Sequence, residues 1–326
     1  MAEGLEKGER IGMWSPNRYE WVVAQFATAR IGAVLVNVNP ANKAQELEYA
    51  LRQSGQRMLL MARGFRATDY SEILGRVRDR LPALERVWVL DDDWEALLAS
   101  ADRTSDEALA EREAALSCDD PINIQYTSGT TGNPKGATLS HHNILNNGWM
   151  TAQIFRYTER DRVCIPVPFY HCFGMVIGNL ACATTGACMV VPGEAFEPGD
   201  TLATVTEERC TSLYGVPTMF IAQLAHPSFA DADFSHMRTG CMAGSPCPVE
   251  VMKRVVDEMN MADVTIAYGM TETSPVSTQT RHDDPLEKRV GTVGQIHPHV
   301  EIKIIDPETG RTVPRGVQGE LCTRGY

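Results

Sequence analysis

The chain has 326 residues, 43% of them hydrophobic, so it can bury a substantial core and should fold as two or three structural units. Its formal net charge of −12 argues against nucleic acid and against an anionic membrane surface as the main partner. No apolar run is long enough to span a membrane, and the charged first ten residues do not resemble a signal sequence. The nine cysteines lack the paired spacings of a zinc site or a disulfide framework, which favours buried thiols in a reducing compartment. We therefore expect a cytoplasmic protein.

Up to about residue 90 the sequence alternates strand and helix patterns. Strands are predicted at 11–14, 33–38, 58–62 and 87–90. Ser15 and Pro16 are typical of a helix start, and Gly32 is typical of a helix end. The apolar faces of this helix and the next are predicted at Val22, Phe26 and Ala29, and at Leu47, Ala50 and Leu51 before Gly55. Repeated β-α-β units imply a parallel sheet covered by helices.

A polar, glycine-rich segment at 125–136 follows a predicted strand at 121–124. Gly129 and Gly132 allow backbone N–H groups to approach an anion, and Lys135 supplies a positive charge that suits phosphate. The hydroxyl groups in this segment add further donors; they belong to Thr127, Ser128, Thr130 and Thr131. With a helix predicted from Leu139, the pattern indicates a phosphate-binding strand, loop and helix. An ordinary polar surface loop is the alternative, because the same residue types dominate loops.

A second group of candidate residues follows the predicted strand at 163–167. His171 lies beside aromatic residues, including Phe169, at the end of that strand, where it can line a pocket or pack in the core. Further along, Met219 and Phe220 open a predicted helix and would suit an apolar ligand as well as a core. The adjacent His141 and His142 are not expected to ligate one metal ion together, because neighbouring residues on a helix point in different directions.

Two short motifs follow the predicted strands at 238–242 and 264–267. The small residues of the turn Ala243–Gly244–Ser245–Pro246 would let the backbone approach a flat ring. The second motif runs from Ala267 through Gly269 and Met270 to Thr273. In it, Tyr268 offers an aromatic face, Thr271 a hydroxyl group, and Glu272 the hard oxygen ligand that Mg²⁺ prefers. From residue 291, short strands between Pro and Gly turns predict antiparallel structure.

The segment at 125–136 resembles the phosphate loop of adenylate-forming enzymes, the superfamily of acyl-CoA synthetases, luciferases and peptide-synthetase adenylation domains. The Tyr268–Glu272 string matches that superfamily's Y-G-x-T-E motif, whereas the turn at 243–246 matches its usual Gly-Gly-Ala-Pro only in part. The sequences flanking the phosphate loop look closest to medium-chain fatty acyl-CoA synthetases. The resemblance implies an α/β fold of two doubly wound sheets with flanking helices, plus the start of a small distorted β-barrel. We expect these three subdomains at 1–160, 161–290 and 291–326.

The resemblance also implies an activity in two steps. A fatty acid carboxylate attacks the α-phosphate of ATP to give acyl-AMP and pyrophosphate, and the thiol of CoA then takes the acyl group. By the same resemblance Thr127 to Lys135 hold the β- and γ-phosphates and Thr271 the α-phosphate. The resemblance assigns Glu272 to Mg²⁺, Gly244–Pro246 and Ala267–Met270 to the adenosine, and His171 to the acyl carboxylate. Phe169, Met219 and Phe220 would line the acyl pocket.

The resemblance further implies that about sixty residues upstream and the C-terminal domain with its adenylation lysine are missing, so this chain is expected to be impaired in turnover. Two alternatives stay open: another carboxylate-activating ligase, such as an aryl-CoA ligase or a peptide-synthetase adenylation domain, and a nucleotide-binding or acyl-adenylate-binding fragment without turnover. The sequence also leaves open the acyl chain length and the state of association, for which a homodimer is one arrangement to test.

Overall fold

The computed structural model describes residues 1–128 and 132–326, which divide into two units. Unit 1 consists of Met1–Ile144, Pro168–Met175 and Gly193–Ala195. Unit 2 consists of Leu145–Val167, Val176–Pro192 and Phe196–Tyr326. This division differs from the expected boundary at residue 160, because the chain crosses between the units several times.

Unit 1 is built on a six-stranded sheet. Its strands are β1 (Arg10–Trp14), β2 (Val34–Val38), β3 (Met58–Met61), β6 (Arg86–Val89), β7 (Pro121–Thr127) and β8 (Lys135–Ser140), with a small hairpin of β4 (Gly64–Phe65) and β5 (Thr68–Asp69). Its helices are α1 (Tyr19–Arg30), α2 (Ala44–Ser54), α3 (Tyr70–Gly75), α4 (Leu90–Ala99) and α5 (Asp106–Ala114), with 3₁₀ turns at Arg78–Arg80 and Ser100–Arg103. The strand order is β6-β3-β1-β2-β7-β8, and every pair is parallel except β7–β8. The predicted parallel sheet is confirmed.

Helix α2 agrees with the sequence pattern in detail. Leu47, Ala50 and Leu51 form its buried face, and Gly55 ends it in the left-handed conformation with φ 59°. The same face packs into a core cluster in which Trp14 stacks on Tyr70 with ring centroids 3.7 Å apart. An apolar period of 3.6 residues followed by glycine was therefore sufficient to predict the buried face and the end of this helix.

Helix α1 begins three residues later than predicted. Its first residue is Tyr19 rather than Pro16, and its buried residues are Glu20, Trp21, Ala24, Gln25 and Thr28 rather than the predicted Val22, Phe26 and Ala29. The cause is Asn17, whose backbone N–H donates to the carbonyl of Glu194 at 3.0 Å and whose Oδ1 accepts from the N–H of Phe169 at 2.8 Å. These two long-range hydrogen bonds hold the chain before Tyr19 out of the helix.

A helix follows the glycine-rich loop as predicted, but it begins at His141 rather than Leu139, and a strand that was not predicted, β8, lies between the loop and the helix. Strands β7 and β8 form an antiparallel hairpin in which Tyr126 pairs with Gly136 and Thr127 with Lys135. Helix α6 (His141–Phe155) starts only after this hairpin. We call residues 121–140 the phosphate hairpin; its positions Gly129, Thr130 and Thr131 lie outside the described residues.

Unit 2 is built on a seven-stranded sheet. Its strands are β9 (Arg162–Cys164), β10 (Cys188–Val190), β11 (Ser212–Gly215), β12 (Thr239–Ala243), β13 (Asp263–Gly269), β14 (Val276–Gln279) and β15 (Gln295–Ile296). Besides most of α6, its helices are α7 (Ala181–Thr185), α8 (Pro198–Glu207), α9 (Pro217–Leu224), α10 (Val249–Glu258) and α11 (Leu286–Gly291). A π-helical segment spans Phe173–Leu180, and 3₁₀ turns span Pro227–Asp231 and Thr271–Thr273.

The strand order in unit 2 is β10-β9-β11-β12-β13-β14-β15. The pairs from β10 to β13 are parallel, whereas β13–β14 and β14–β15 are antiparallel. The last strands, β16 (Glu301–Ile305) and β17 (Glu320–Arg324), form a separate antiparallel hairpin. The expected antiparallel structure after residue 291 is therefore present, although Gln295–Ile296 joins the large sheet instead of the hairpin. No helix among the described residues is both long enough and apolar enough to cross a membrane.

Candidate active site

The phosphate hairpin presents its candidate ligand groups at an exposed tip. Ser128, Gly132 and Lys135 are exposed, and Thr127 Oγ1 donates to the Lys135 carbonyl at 3.5 Å. Gly132 has φ 113°, and a Cβ there would meet nothing within 4 Å. Glycine at this position therefore serves the backbone conformation rather than a close approach of neighbouring atoms.

Two tyrosine hydroxyl groups form hydrogen bonds between this hairpin and helix α2. The Tyr49 hydroxyl donates to the Pro134 carbonyl at 3.0 Å, and the Tyr126 hydroxyl donates to the Ala50 carbonyl at 2.9 Å. Their rings lie 6.3 Å apart in an edge-on arrangement. The sequence does not predict this role for Tyr49, because nothing in the local pattern shows that α2 packs beside the hairpin.

His171 lies in a tight turn of unit 1. The backbone N–H of Phe173 donates to His171 Nδ1 at 3.1 Å, so the neutral ring carries its proton on Nε2. Burial by the surrounding protein lowers the pKa of His171, although the residue keeps exposed surface. Both effects favour a neutral imidazole near pH 7 with an Nε2–H group that can donate to a carboxylate. Gly174 is required in this turn, because a Cβ there would meet the Pro168 carbonyl oxygen at 2.5 Å.

A buried amide network links the segment that carries His171 to the strand that leads into the phosphate hairpin. Asn37 on β2 donates through Nδ2 to the Tyr170 carbonyl at 3.0 Å, and its Oδ1 accepts from Asn123 Nδ2 at 2.9 Å. Asn123 also donates to the Leu35 carbonyl at 2.9 Å. Asn37, Asn123 and Gln125 are all at most 2% exposed. Burying an amide costs free energy unless it is hydrogen-bonded. The hydrogen bond from Asn37 to the Tyr170 carbonyl therefore fixes the turn before His171.

Sequence reasoning missed these amides. The signal was available, since asparagine and glutamine interrupt the apolar strands at 34–38 and 121–127.

The three aromatic and apolar residues expected at an acyl pocket differ in their placement. Phe169 is fully buried, with its ring 6.0 Å from that of Trp21, and Phe220 is fully buried in the core cluster of unit 2. Both placements favour packing roles. Met219, on the first turn of α9, is half-buried and keeps surface for a ligand.

The two motifs expected at the adenosine meet around one cavity. Strands β12 and β13 are parallel neighbours, and Ala243 pairs with Ala267, so both motifs leave the same edge of the sheet. The cavity has a volume of about 590 Å³. Its lining residues are Gly244, Ser245, Pro246, Cys247, Ile266, Ala267, Tyr268, Gly269, Val290, Gly291, Thr292 and Val293. We call this the adenosine cavity; a position beyond the carboxyl ends of parallel strands is where open α/β sheets bind ligands.

Residues 290–293 of this lining were not predicted. They comprise the last two residues of helix α11 and the two that follow it, and the Val293 carbonyl accepts from Thr278 Oγ1 at 2.6 Å. This bond fixes them beside β14, a placement that no local sequence pattern records.

The turn after Tyr268 is closely packed and held by hydrogen bonds. A Cβ on Gly269 would lie 1.8 Å from the Pro275 carbonyl oxygen, so only glycine fits. Thr273 Oγ1 donates to the Pro275 carbonyl at 2.7 Å, and the Met270 N–H donates to the same carbonyl at 3.0 Å. Sequence reasoning treated Thr273 only as the end of the motif, whereas the structure shows that it holds the turn.

This turn sets the exposure of the candidate catalytic residues. Thr271 is only 6% exposed, whereas Tyr268, Gly269, Met270 and Glu272 are exposed. The exposed carboxylate of Glu272, three residues beyond the cavity-lining Gly269, is the hard oxygen donor that suits Mg²⁺ held jointly with phosphate oxygens. The donor chemistry of Glu272 therefore fits the predicted metal.

A second cavity, of about 410 Å³, lies in unit 1 and contains none of the predicted site residues. It is lined mostly by apolar side chains, among them Ile11, Leu60, Trp88 and Trp94. A nucleotide needs convergent polar groups for orientation, so the adenosine cavity is the better candidate.

The chain is similar to known proteins over its whole length. The AMP-binding enzyme family profile matches residues 1–326. The chain is 48% identical over 346 residues to YngI of Bacillus subtilis, covering all of this chain and 63% of YngI. It is 43% identical over 347 residues to the medium-chain acyl-CoA ligase ACSF2, mitochondrial, of Danio rerio, covering all of this chain and 57% of the ligase. The chain thus spans about three fifths of the length of the curated relatives that it matches.

Solved structures show the same fold. The anthranilate CoA ligase AuaEII, in complex with anthranoyl-AMP, matches with a TM-score of 0.82 and 26% identity, over 99% of this chain and 60% of that one. ATP-bound MatB from Rhodopseudomonas palustris matches with a TM-score of 0.79 and 27% identity, over 99% of this chain and 61% of that one. The profile match over all 326 residues and the shared fold lead to one conclusion: this chain belongs to the AMP-binding enzyme family.

Proposed function

We propose that the chain is the adenylating part of an ATP-dependent fatty acyl-CoA ligase that acts on medium-chain fatty acids. The observation that carries this proposal is the adenosine cavity, where Tyr268 and the Gly244 turn converge at the ends of two parallel strands. The chain length of the substrate rests on the relatives at 40–43% identity that are named medium-chain acyl-CoA ligases.

In the proposed mechanism the chain supplies position and charge, which are the main contributions to transfer at phosphorus. Tyr268 stacks on the adenine, while Ser245 and Pro246 border it. Thr127, Ser128 and Lys135 contact the β- and γ-phosphates. The sequence assigns Gly129, Thr130 and Thr131, outside the described residues, to the same task.

Thr271 and Glu272 serve the α-phosphate and the metal ion. A bound Mg²⁺, held through Glu272, would neutralise charge on the phosphates as pyrophosphate leaves. His171 donates its Nε2–H to a carboxylate oxygen of the fatty acid, leaving the other oxygen to attack the α-phosphorus. Met219 provides apolar surface for the acyl chain. CoA enters as the second substrate, its thiol displacing AMP from the acyl carbon.

The location and assembly of the protein stay predictions: a cytoplasmic protein, with a homodimer as one arrangement to test. The relatives named ACSF2 are described as mitochondrial, which is a statement about those proteins.

The proposal is tested by ATP–pyrophosphate exchange on this chain with fatty acids of about four to sixteen carbons, and with benzoate and anthranilate for comparison. We expect acid-dependent exchange that is greatest at medium chain length. Exchange only with the aromatic acids would instead support an aryl-CoA ligase, the activity named for AuaEII.

Absence of exchange with ATP still bound would indicate a binding fragment without turnover. Absence of both exchange and ATP binding would contradict the proposal.

A further inference from the structure

The base of the phosphate hairpin carries three potential metal ligands that the proposed reaction does not use. Pro121, at the start of β7, pairs with Ser140, at the end of β8, so the two ends of the hairpin lie side by side. Cys118 and Asp119 lie just before β7, and His142 lies just after β8, in the first turn of α6. The hairpin thereby brings the adjacent residues Cys118 and Asp119 beside His142, which follows them by more than twenty residues.

Backbone hydrogen bonds fix this place without a metal ion. The His142 N–H donates to the Cys118 carbonyl at 2.8 Å, and the His141 N–H donates to the Asp120 carbonyl at 3.3 Å. Within the turn before β7, the Ser117 N–H donates to Asp120 Oδ2 at 2.7 Å. The chain segments that carry the three ligands are therefore held together in advance.

The ligand atoms themselves are close. One atom each from Cys118, Asp119 and His142 lies within 4.8 Å of the others. Zinc binds thiolate sulfur at about 2.3 Å and imidazole nitrogen or carboxylate oxygen at about 2.0–2.2 Å, usually in tetrahedral geometry. Tetrahedral donors at those lengths are about 3.3–3.8 Å apart. Side-chain rotations that move the ligand atoms by about an ångström would therefore bring all three to bonding distance from one zinc ion.

The chemistry of the donors selects the metal. A thiolate and an imidazole favour Zn²⁺ over Mg²⁺ or Ca²⁺, which prefer all-oxygen sites. Asp120 is not available as a fourth ligand, because its Oδ2 forms an ion pair with Lys7 Nζ at 2.7 Å. Cys118 and Asp119 are exposed, so water can fill the fourth position.

We propose that Cys118, Asp119 and His142 form a Zn²⁺ site that joins the two ends of the phosphate hairpin. Binding forms bonds from zinc to Cys118 Sγ, a carboxylate oxygen of Asp119 and a ring nitrogen of His142. The thiol proton of Cys118 is released to solvent as its sulfur becomes a thiolate ligand. The zinc site lies at the base of the hairpin, whereas the proposed phosphate contacts lie at its tip. This inference is therefore independent of the proposed reaction.

The test is direct titration of the metal-free chain with Zn²⁺ and with Co²⁺, whose thiolate complexes absorb in the near ultraviolet. The variants Cys118→Ser, Asp119→Asn and His142→Gln each remove one ligand. The matched controls are His141→Gln, which changes the adjacent histidine, and Cys188→Ser, which changes another exposed cysteine. Circular dichroism checks that every variant is folded.

We expect one equivalent of Zn²⁺, a thiolate–cobalt absorption band, and a rise in the thermal midpoint with Zn²⁺ that equal Mg²⁺ does not produce. Cys118→Ser should lose the band, and each ligand variant should bind Zn²⁺ at least tenfold more weakly, while both controls behave as wild type. Equal binding by wild type and Cys118→Ser would overturn the site. Loss of binding in His141→Gln, or no stoichiometric binding in wild type, would overturn it as well.

Discussion

Asn37 provides the sharpest test of how the fold positions His171. Asn37→Ala removes the hydrogen bond to the Tyr170 carbonyl and the bond from Asn123, at 3.0 and 2.9 Å. An intramolecular hydrogen bond makes a net contribution of about 1 kcal/mol to the free energy of unfolding. A buried carbonyl left without its donor lowers that free energy by roughly 1–3 kcal/mol. Asn123 keeps its bond to Leu35, so we expect the free energy of unfolding to fall by about 2–4 kcal/mol. Urea unfolding followed by circular dichroism measures this loss.

The functional effect of Asn37→Ala is measured by the affinity for a stable medium-chain acyl-adenylate analogue, such as an acyl-sulfamoyladenosine, in calorimetry. We expect several-fold weaker binding of the acylated analogue and unchanged binding of AMP, because Asn37 acts through the His171 turn. In a His171→Asn background the Asn37 substitution should have little further effect. Gln56→Ala is the control, since Gln56 is also a buried amide of unit 1 but bonds to Ser54. An equal effect of Asn37→Ala in both backgrounds would refute the coupling.

Three further predictions concern other parts of the account. Gly269→Ala should disrupt the turn after Tyr268, because its Cβ would lie 1.8 Å from the Pro275 oxygen; we expect roughly 1–3 kcal/mol lower unfolding free energy and at least tenfold weaker AMP binding. Lys135→Ala should weaken ATP binding more than fatty acid binding, since it removes a phosphate contact, and calorimetry with each ligand separates the two. Burial lowers the pKa of His297 to about 3, so stability should be lost as the pH falls below 6.5, by about 2 kcal/mol at pH 5. His297→Gln should flatten that pH dependence in urea unfolding.

Each of these predictions has a control or a contradicting outcome. Gly75→Ala, where a Cβ would meet nothing within 4 Å, should leave stability and AMP binding nearly unchanged. Lys253→Ala, on the exposed face of α10, should not alter ATP binding. Equal loss of ATP and fatty acid binding in Lys135→Ala would contradict its phosphate role.

For His297 the sign follows from the lowered pKa. Between pH 3 and 6.5 His297 binds a proton in the unfolded chain but not in the folded chain. Protonation therefore stabilises the unfolded state, and the free energy of unfolding decreases as the pH falls. Above pH 6.5 the group contributes no pH dependence. A wild-type stability that is unchanged between pH 7 and 5 would contradict this account.

Local signals predicted the elements that local forces determine. The apolar face of α2 and its end at Gly55 need only nearby residues, and the alternation of strands and helices was sufficient for the parallel sheet. The two motifs of the adenosine cavity were identified as strings, and their meeting followed from the pairing of two neighbouring parallel strands.

Long-range contacts account for most of what the sequence did not predict. The start of α1 depends on bonds from Asn17 to Glu194 and Phe169, more than 150 residues away in sequence. The hairpin form of the segment after the glycine-rich loop depends on strand pairing with β7, which an apolar pattern alone cannot distinguish from a helix start. The third wall of the adenosine cavity, at 290–293, comes from a segment with no recognisable motif.

The central claim is that the adenosine cavity binds the adenosine of an adenylated fatty acid. The most direct measurement is calorimetric titration of wild type and Tyr268→Ala with octanoyl-sulfamoyladenosine. Aromatic stacking on a base contributes about 1–3 kcal/mol, so the account predicts tight binding by wild type and binding roughly tenfold weaker or worse in the variant. Equal affinities, or no binding of the adenosine analogue to folded wild type, would contradict it.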